Sequence, residues 1–103
     1  MDYKVVLTSR AQRDLFEIVS FIAAQHPPAA GKIGLALLAA AESLVLLPHR
    51  GPPLKGRPGL RKLPHLPHHL IIYRVNEPTR LVEIIRFWDA RQNPSSLIPP
   101  FGL

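Results

Sequence analysis

The feature that most constrains the fold is a pair of apolar stretches near the C-terminal end, separated by a short polar turn. Residues 70–75 are rich in β-branched and aromatic side chains, and residues 80–88 are equally apolar. The turn at 76–79 contains a proline, which cannot donate a hydrogen bond to a β-ladder. The pattern predicts a β-hairpin with strands at 69–75 and 80–88. Because both strands are apolar, the rest of the chain must cover at least one face of the hairpin.

Two helical segments precede the hairpin and can supply that cover. Apolar residues recur at helical spacing over 10–25, behind an N-cap at Ser9 or Thr8. A second segment, 28–47, is rich in alanine and leucine and has a proline in its first turn, where the missing N–H costs nothing. Each segment ends at a proline, as helices commonly do. The sequence therefore predicts a helical hairpin with two apolar stripes.

Two shorter runs of strand-like composition, 3–7 and 60–63, complete the set of elements. The order is β-α-α-β-β-β, and the last three strands are consecutive, which favours an antiparallel meander. We expect an α+β fold of two layers, with the helical hairpin packed on an antiparallel sheet that the first strand extends. Residues 1–93 would form this domain, and the proline-rich residues 94–103 would be an extended or disordered tail.

Composition excludes several classes of protein. The chain has no cysteine, which rules out disulfides, thiolate metal sites and a cysteine nucleophile. The N-terminal residues lack the layout of a signal peptide. The longest apolar run, 33–47, contains Glu42 and stops at Pro48, so we expect no membrane span. These features favour a cytoplasmic protein.

The net charge of +6 lies entirely in the second half of the chain. Residues 1–49 hold four Lys/Arg and four acids, whereas residues 50–103 hold nine Lys/Arg and three acids. Such an excess favours an anionic partner, either nucleic acid or an acidic protein segment. The plain alternative is a basic surface that only keeps the protein in solution.

Several short motifs, taken in order, resemble one family of proteins. They are Ala11-x-x-Asp14-Leu15-x-x-Ile18, Phe21-Ile22, Pro28-Ala29-Ala30, LVLLPHRG at 44–51, GLRKL at 59–63, IYRV at 72–75 and VEIIRFWDAR at 82–91. Their order and spacing over residues 3–93 are similar to those of the RelE/ParE superfamily, the toxins of bacterial type II toxin–antitoxin systems, also called plasmid stabilisation proteins. The resemblance implies a β-α-α-β-β-β toxin that is neutralised by a cognate antitoxin protein encoded beside it. RelE-like members cleave mRNA on the ribosome, and ParE-like members inhibit DNA gyrase.

Cleavage of RNA by attack of its 2′-OH needs a base for the nucleophile and an acid for the leaving 5′ oxygen. It also needs a positively charged group that stabilises the pentavalent phosphate. By the resemblance, Arg61 and Arg86 occupy positions where nuclease members carry basic residues, and Arg74 is a third candidate. The acid or base would be His68 or a neighbouring histidine. The plain alternative is that these arginines solvate the open face of the sheet or pair with Glu83.

The end of the chain favours binding over catalysis. RelE-like nucleases tend to carry a histidine or tyrosine after the last strand, and residues 89–103 contain neither. Tyr73, inside a predicted strand, is expected to be packed. We therefore expect a toxin nearer the ParE-like branch that acts by binding, and the resemblance implies that its target is DNA gyrase. Alternatives are a ribosome-dependent mRNA endonuclease and a degenerate member that binds its antitoxin without toxicity. The residues expected to contact the target or the antitoxin are Arg61, Lys62, Arg74, Arg86, Trp88 and Arg91. For Trp88 the plain alternative is an anchor at the edge of the core, under the helices.

Three histidines, at 65, 68 and 69, raise the question of a metal site. His68 and His69 would point to opposite faces of a strand, and no acidic residue flanks the group. The sequence thus predicts exposed loop histidines, no metal and no cofactor. A homo-oligomer is compatible with the sequence.

Overall fold

The secondary structure follows the order that the sequence predicts. The computed structural model describes residues 2–65 and 67–91. Its elements are β1 (Lys4–Leu7), α1 (Ser9–Gln25), α2 (Pro27–Glu42), a 3₁₀ helix (Ser43–Val45), β2 (Arg61–His65), β3 (His69–Asn76) and β4 (Leu81–Asp89). The α+β fold with two helices packed on a sheet is confirmed. The tail at 94–103, and the expectation that it is extended or disordered, lie outside the described residues.

The predicted hairpin forms the centre of the sheet. The strand order is β1-β4-β3-β2, and β3 pairs with β4 in antiparallel register. Arg80, the last residue of the turn, takes a left-handed φ of 56°. The register shifts between Ile72 and Tyr73, because Ile72 pairs with Arg86 whereas Tyr73 pairs with Ile84. This β-bulge leaves Ile85 as an extra residue in β4, a detail that the hydrophobic pattern does not specify.

The first strand differs from the prediction in its direction. β1 pairs with β4 in parallel, from Lys4 opposite Leu81 to Leu7 opposite Ile84, so the sheet is mixed rather than wholly antiparallel. Short turns enforce antiparallel pairing only within the meander β2-β3-β4. The helical hairpin is a long crossover that joins β1 to the meander, and a connection of this length permits parallel pairing.

The start of α1 is fastened to the sheet by its N-cap. The Thr8 hydroxyl accepts a hydrogen bond from the Ala11 N–H at 3.1 Å and donates one to the Ile84 carbonyl at 2.8 Å. One side chain thus caps the helix and continues the contact that β1 makes with β4. Of the two candidate caps, Thr8 is the one used.

The second helix ends five residues earlier than predicted. α2 stops at Glu42, the chain tightens into the 3₁₀ helix, and the Ser43 hydroxyl donates to the Ala40 carbonyl at 2.6 Å. Pro48 disfavours helical geometry in the residue before it, and a 3₁₀ turn is a common way to end a helix. Leu46 and Leu47, predicted to be helical, follow the 3₁₀ helix, and their side chains are exposed.

The expectation of no membrane span rested on the apolar run 33–47, and the helix that includes most of this run begins earlier. The continuous helical segment Pro27–Val45 has 19 residues and a mean hydropathy of 1.3, which suffices by length and composition alone. The core helix of a soluble protein passes the same test. Here Leu37, Ala41 and Leu44 are buried in the main core, between the helical layer and the sheet.

Both faces of the central hairpin carry buried side chains. Alternation along β3 places Ile71 and Tyr73 in the main core beneath the helices, while Ile72 joins a smaller cluster with Leu60 and Ile85. The loop after the 3₁₀ helix closes on Tyr73, whose hydroxyl accepts a hydrogen bond from the Gly51 N–H at 2.8 Å. The prediction that the Tyr73 ring is packed is confirmed, because this side chain is fully buried.

Candidate functional site

A groove of about 900 Å³ lies between α1, the first part of α2 and the end of the central hairpin. Its polar lining comprises Arg10, Asp14, Glu17, Lys32, His65, His68, His69, Arg86, Asp89 and Arg91. Apolar side chains from the two helices, among them Ile18, Phe21 and Ile33, line the remainder. A groove of this size and mixed character suits a peptide segment with an apolar face and charged edges.

Asp14 organises the polar floor of the groove. Its carboxylate accepts hydrogen bonds from Arg86 Nε at 2.6 Å, Arg86 Nη2 at 3.1 Å and the Phe87 backbone N–H at 3.1 Å. Arg10, one turn earlier on α1, adds a contact from its Nε at 3.2 Å. The carboxylate is 4% exposed, so these donors replace nearly all of its water.

The position of Asp14 follows from the way β1 ends. β1 pairs with β4 only as far as Ile84, and α1 begins directly after β1. Beyond that point no strand among residues 2–65 and 67–91 pairs with this edge of β4, and the Asp14 carboxylate accepts the hydrogen bond of the Phe87 N–H instead. A side chain of α1 thus completes the hydrogen bonding of β4.

Arg86 and Trp88 both belong to the interior of this site. Arg86 forms a two-point ion pair with Asp14 and lies 5.4 Å from the centre of the Trp88 ring, within the range of a cation–π contact. Their exposed fractions are 6% and 4%. The sequence placed both residues in a contact surface, and the structure places them in the wall of the groove with little area open to a partner.

His68, His69 and Asp89 come together at one end of the groove. One ligand atom from each side chain lies within 4.8 Å of the other two. His69 stands opposite Asp89 in the β3–β4 register, and the Ala90 N–H donates to the His68 carbonyl at 2.7 Å. The sequence argument against a metal rested on two premises: that His68 and His69 point to opposite strand faces, and that no acidic residue flanks them. Asp89 supplies an acidic residue, and His69 is buried in β3 rather than exposed in a loop. Asp89 is twenty positions from His69, so only the hairpin register could have revealed it.

Two of these groups have shifted pKa values. Burial, together with the neighbouring His68, lowers the pKa of His69, which favours the neutral imidazole. Hydrogen bonds from Arg91 lower the pKa of Asp89 to about 2, and the Arg91 Nη2 lies 2.6 Å from Asp89 Oδ2. At neutral pH the end of the groove therefore presents a neutral histidine beside an ionised carboxylate.

The remaining sequence candidates do not join this site. Arg61 donates to the Gly51 carbonyl at 2.7 Å, and Arg74 pairs with Glu83 at 2.8 Å, as the plain alternative suggested for one of the arginines. Lys62 is half-buried in β2. Among the residues that the structure describes, these three do not line the groove, whereas His68, Arg86, Trp88 and Arg91 do. Asp14 was missed as a site residue, although a carboxylate beside the apolar stripe of a helix signals a buried partner.

Comparisons with known proteins match most of the chain. The family model for the ParE toxin of the parDE type II toxin–antitoxin system matches residues 5–94. A structure of the chromosomal ParDE system from P. aeruginosa aligns with a TM-score of 0.73 and 20% identity, over 84% of this chain and 95% of that one. The toxin–antitoxin complex RelBE2 from Mycobacterium tuberculosis aligns with a TM-score of 0.66 and 27% identity, over 86% and 99%. Among curated proteins there is no match.

Proposed function

Because the chain belongs to the ParE toxin family of type II toxin–antitoxin systems, we propose that it stops growth by binding its target in the cytoplasm, and that this target is DNA gyrase. The observation that supports binding over RNA cleavage is the ion pair of Arg86 with Asp14. An arginine that stabilises the phosphate of a cleaving RNA must meet that phosphate, and here the guanidinium is held by a buried carboxylate.

The other candidate groups also lack the arrangement that RNA cleavage needs. Arg61 and Arg74 lie outside the groove that contains the histidines. Burial raises the pKa of Tyr73, whose hydroxyl is occupied by the Gly51 N–H. A base, an acid and a cation must converge within hydrogen-bonding distance of one reacting group. Arg61, Arg74 and Tyr73 do not converge with the three histidines of the groove in this way.

One observation favours the second candidate function, a ribosome-dependent mRNA endonuclease. Three histidines, His65, His68 and His69, line the same groove as Arg10 and Arg91. Histidine is the most common general acid or base at neutral pH. RNA cleavage by this chain would therefore use the histidine end of the groove, rather than Arg61 and Arg74.

Two assays with the purified protein separate the candidates. A gyrase inhibitor should block the supercoiling of relaxed plasmid DNA and leave mRNA on translating ribosomes intact. Arg61→Ala and Arg74→Ala should then weaken inhibition less than tenfold, because surface charges contribute little each and no transition state depends on them. A nuclease should cleave the message, and loss of a charge that stabilises its transition state should slow cleavage by about 100- to 1,000-fold. Cleaved mRNA with unimpaired supercoiling would contradict the proposal.

We also propose an antitoxin partner, which accords with the toxin–antitoxin complexes among the similar structures. Its segment would be an amphipathic helix that folds in the groove. Phe21 is 63% exposed there and offers an apolar anchor, while Lys32 and Arg91 offer charges for acidic side chains. Leu35 on α2 is also exposed and offers a further apolar side chain to such a helix.

Two phenylalanines on α1 provide a matched test of this surface. Phe21 lines the groove, whereas Phe16 is equally exposed and does not. Phe21→Ala should weaken binding of the antitoxin encoded beside this gene by roughly 30-fold, the effect of losing a central aromatic anchor. Phe16→Ala should change binding less than threefold. Equal effects in a calorimetric titration would place the antitoxin elsewhere.

Growth assays test whether toxicity is retained. Expression of the chain alone should arrest growth in its native host, and co-expression of the neighbouring antitoxin gene should restore it. Normal growth without the antitoxin, from a chain that still binds it, would identify a degenerate member that has lost toxicity.

A further inference from the structure

A cluster of three metal-binding side chains stands at the end of the central hairpin, and the function proposed above does not use it as a metal site. The cluster consists of His68, His69 and Asp89, with one ligand atom of each within 4.8 Å of the others. We infer that these residues bind a divalent transition metal ion, with zinc as the best match.

The ligand types select this class of ion. Two imidazole nitrogens and one carboxylate oxygen are a common ligand set for zinc, which binds each at about 2.0–2.2 Å. Calcium and magnesium prefer sites made only of oxygen ligands. Ligands around one tetrahedral zinc ion lie roughly 3.3 Å apart, a geometry that follows from those bond lengths. Small side-chain rotations would therefore bring the three groups onto one ion.

The backbone already holds the three residues together. His69 and Asp89 face each other in the β3–β4 register, and the Ala90 N–H donates to the His68 carbonyl. Metal binding would therefore immobilise few additional rotatable bonds, and this low entropic cost favours affinity for the ion. His69 is 7% exposed, so packing restricts the positions that its imidazole can take.

The contact between Asp89 and Arg91 is compatible with a bound ion. Arg91 donates to the carboxylate from its backbone N–H and its guanidinium, and its side chain is 63% exposed. Hydrogen bonds to a ligating carboxylate are usual, and two carboxylate oxygens retain further lone pairs. Three protein ligands leave a fourth position for water or for a side chain of a partner, on the groove that all three line.

The test is titration of zinc into the purified full chain after treatment with a chelator. We expect one zinc ion per chain by calorimetry, and a visible spectrum of low-coordinate cobalt when Co²⁺ replaces zinc. His68→Asn and Asp89→Asn should each weaken binding at least tenfold, because even loss of an outer-shell partner costs about 10- to 100-fold. His26→Asn is the matched control, since His26 is exposed, makes no side-chain cap bond and lies outside the groove.

Thermal melting provides a second measurement on the same variants. Zinc at 100 times its Kd should raise the Tm of the native chain and of His26→Asn by at least about 10 °C, and should raise that of His68→Asn by about half as much or less. The test uses His68 and Asp89 because both are partly exposed, whereas His69 is buried. Absence of zinc binding, or equal binding by the native chain and both ligand variants, would overturn the inference. Neither result affects the supercoiling and growth assays.

Discussion

Replacement of Asp14 by alanine should destabilise the protein by about 3–5 kcal/mol, the usual cost of removing one partner from a buried ion pair. The substitution leaves the Arg86 guanidinium buried without its carboxylate and deprives the Phe87 N–H of its acceptor. For a domain of this length the Tm should fall by at least about 12 °C. Urea denaturation followed by circular dichroism gives the free energy of unfolding directly.

A matched carboxylate on the same helix gives the control. Glu17 is exposed, so Glu17→Ala should change the free energy of unfolding by less than about 0.5 kcal/mol. Replacement of the whole pair by apolar residues, Asp14→Leu with Arg86→Met, should recover much of the loss, because no charge is then left buried. A loss below about 1 kcal/mol for Asp14→Ala would show that the pair is solvated and that Arg86 is free to meet a partner.

Replacement of Gly51 by alanine should cost a similar amount through a different cause. A Cβ atom at Gly51 would lie 2.3 Å from the Lys62 carbonyl oxygen and 2.9 Å from the Tyr73 hydroxyl. The loop must therefore move away from β2, and the buried hydrogen bond from the Gly51 N–H to Tyr73 breaks. Overpacking and an unsatisfied buried polar group together predict a loss of about 3–5 kcal/mol in the free energy of unfolding.

Two glycines in α2 provide comparison variants for Gly51→Ala. A Cβ at Gly31 meets nothing within 4 Å, so Gly31→Ala should stabilise the protein by about 0.5–1 kcal/mol through helix propensity. At Gly34 the Cβ would approach a Val19 methyl group at 2.9 Å, a side chain that can shift, and the effect should lie between the other two. If Gly51→Ala proved as stable as Gly31→Ala, the loop would not be held against Tyr73.

Most of the fold could be predicted because the hydrophobic pattern is consistent from one element to the next. The apolar runs of β3 and β4 bracket a turn that contains Pro78, and each predicted helix ends before a proline. The direction of β1 could not be predicted, since the long helical crossover allows either pairing. The bulge at Ile72 and Tyr73 and the early end of α2 depend on packing that a linear pattern does not contain.

The candidate site was less accessible to sequence reasoning, because its residues meet only through the fold. Arg86 was predicted as a contact residue from its charge, yet its environment is decided by Asp14, 72 positions away. Asp89 joins the histidines through the hairpin register, a relation that depends on an unpredicted bulge. The pairing of Arg74 with Glu83 follows from strand alternation and could be anticipated.

The parallel pairing of β1 with β4 also bears on how the chain folds during translation. Thr8 bonds to Ile84, 76 positions later, so neither β1 nor the start of α1 can be completed before the last strand has been synthesised. At about 5–20 residues per second this interval lasts roughly 4–15 s. Pairing across so long a separation also makes folding slow. A nascent or truncated chain without β4 should therefore be inactive, and the toxin should acquire its structure only when its synthesis is nearly complete.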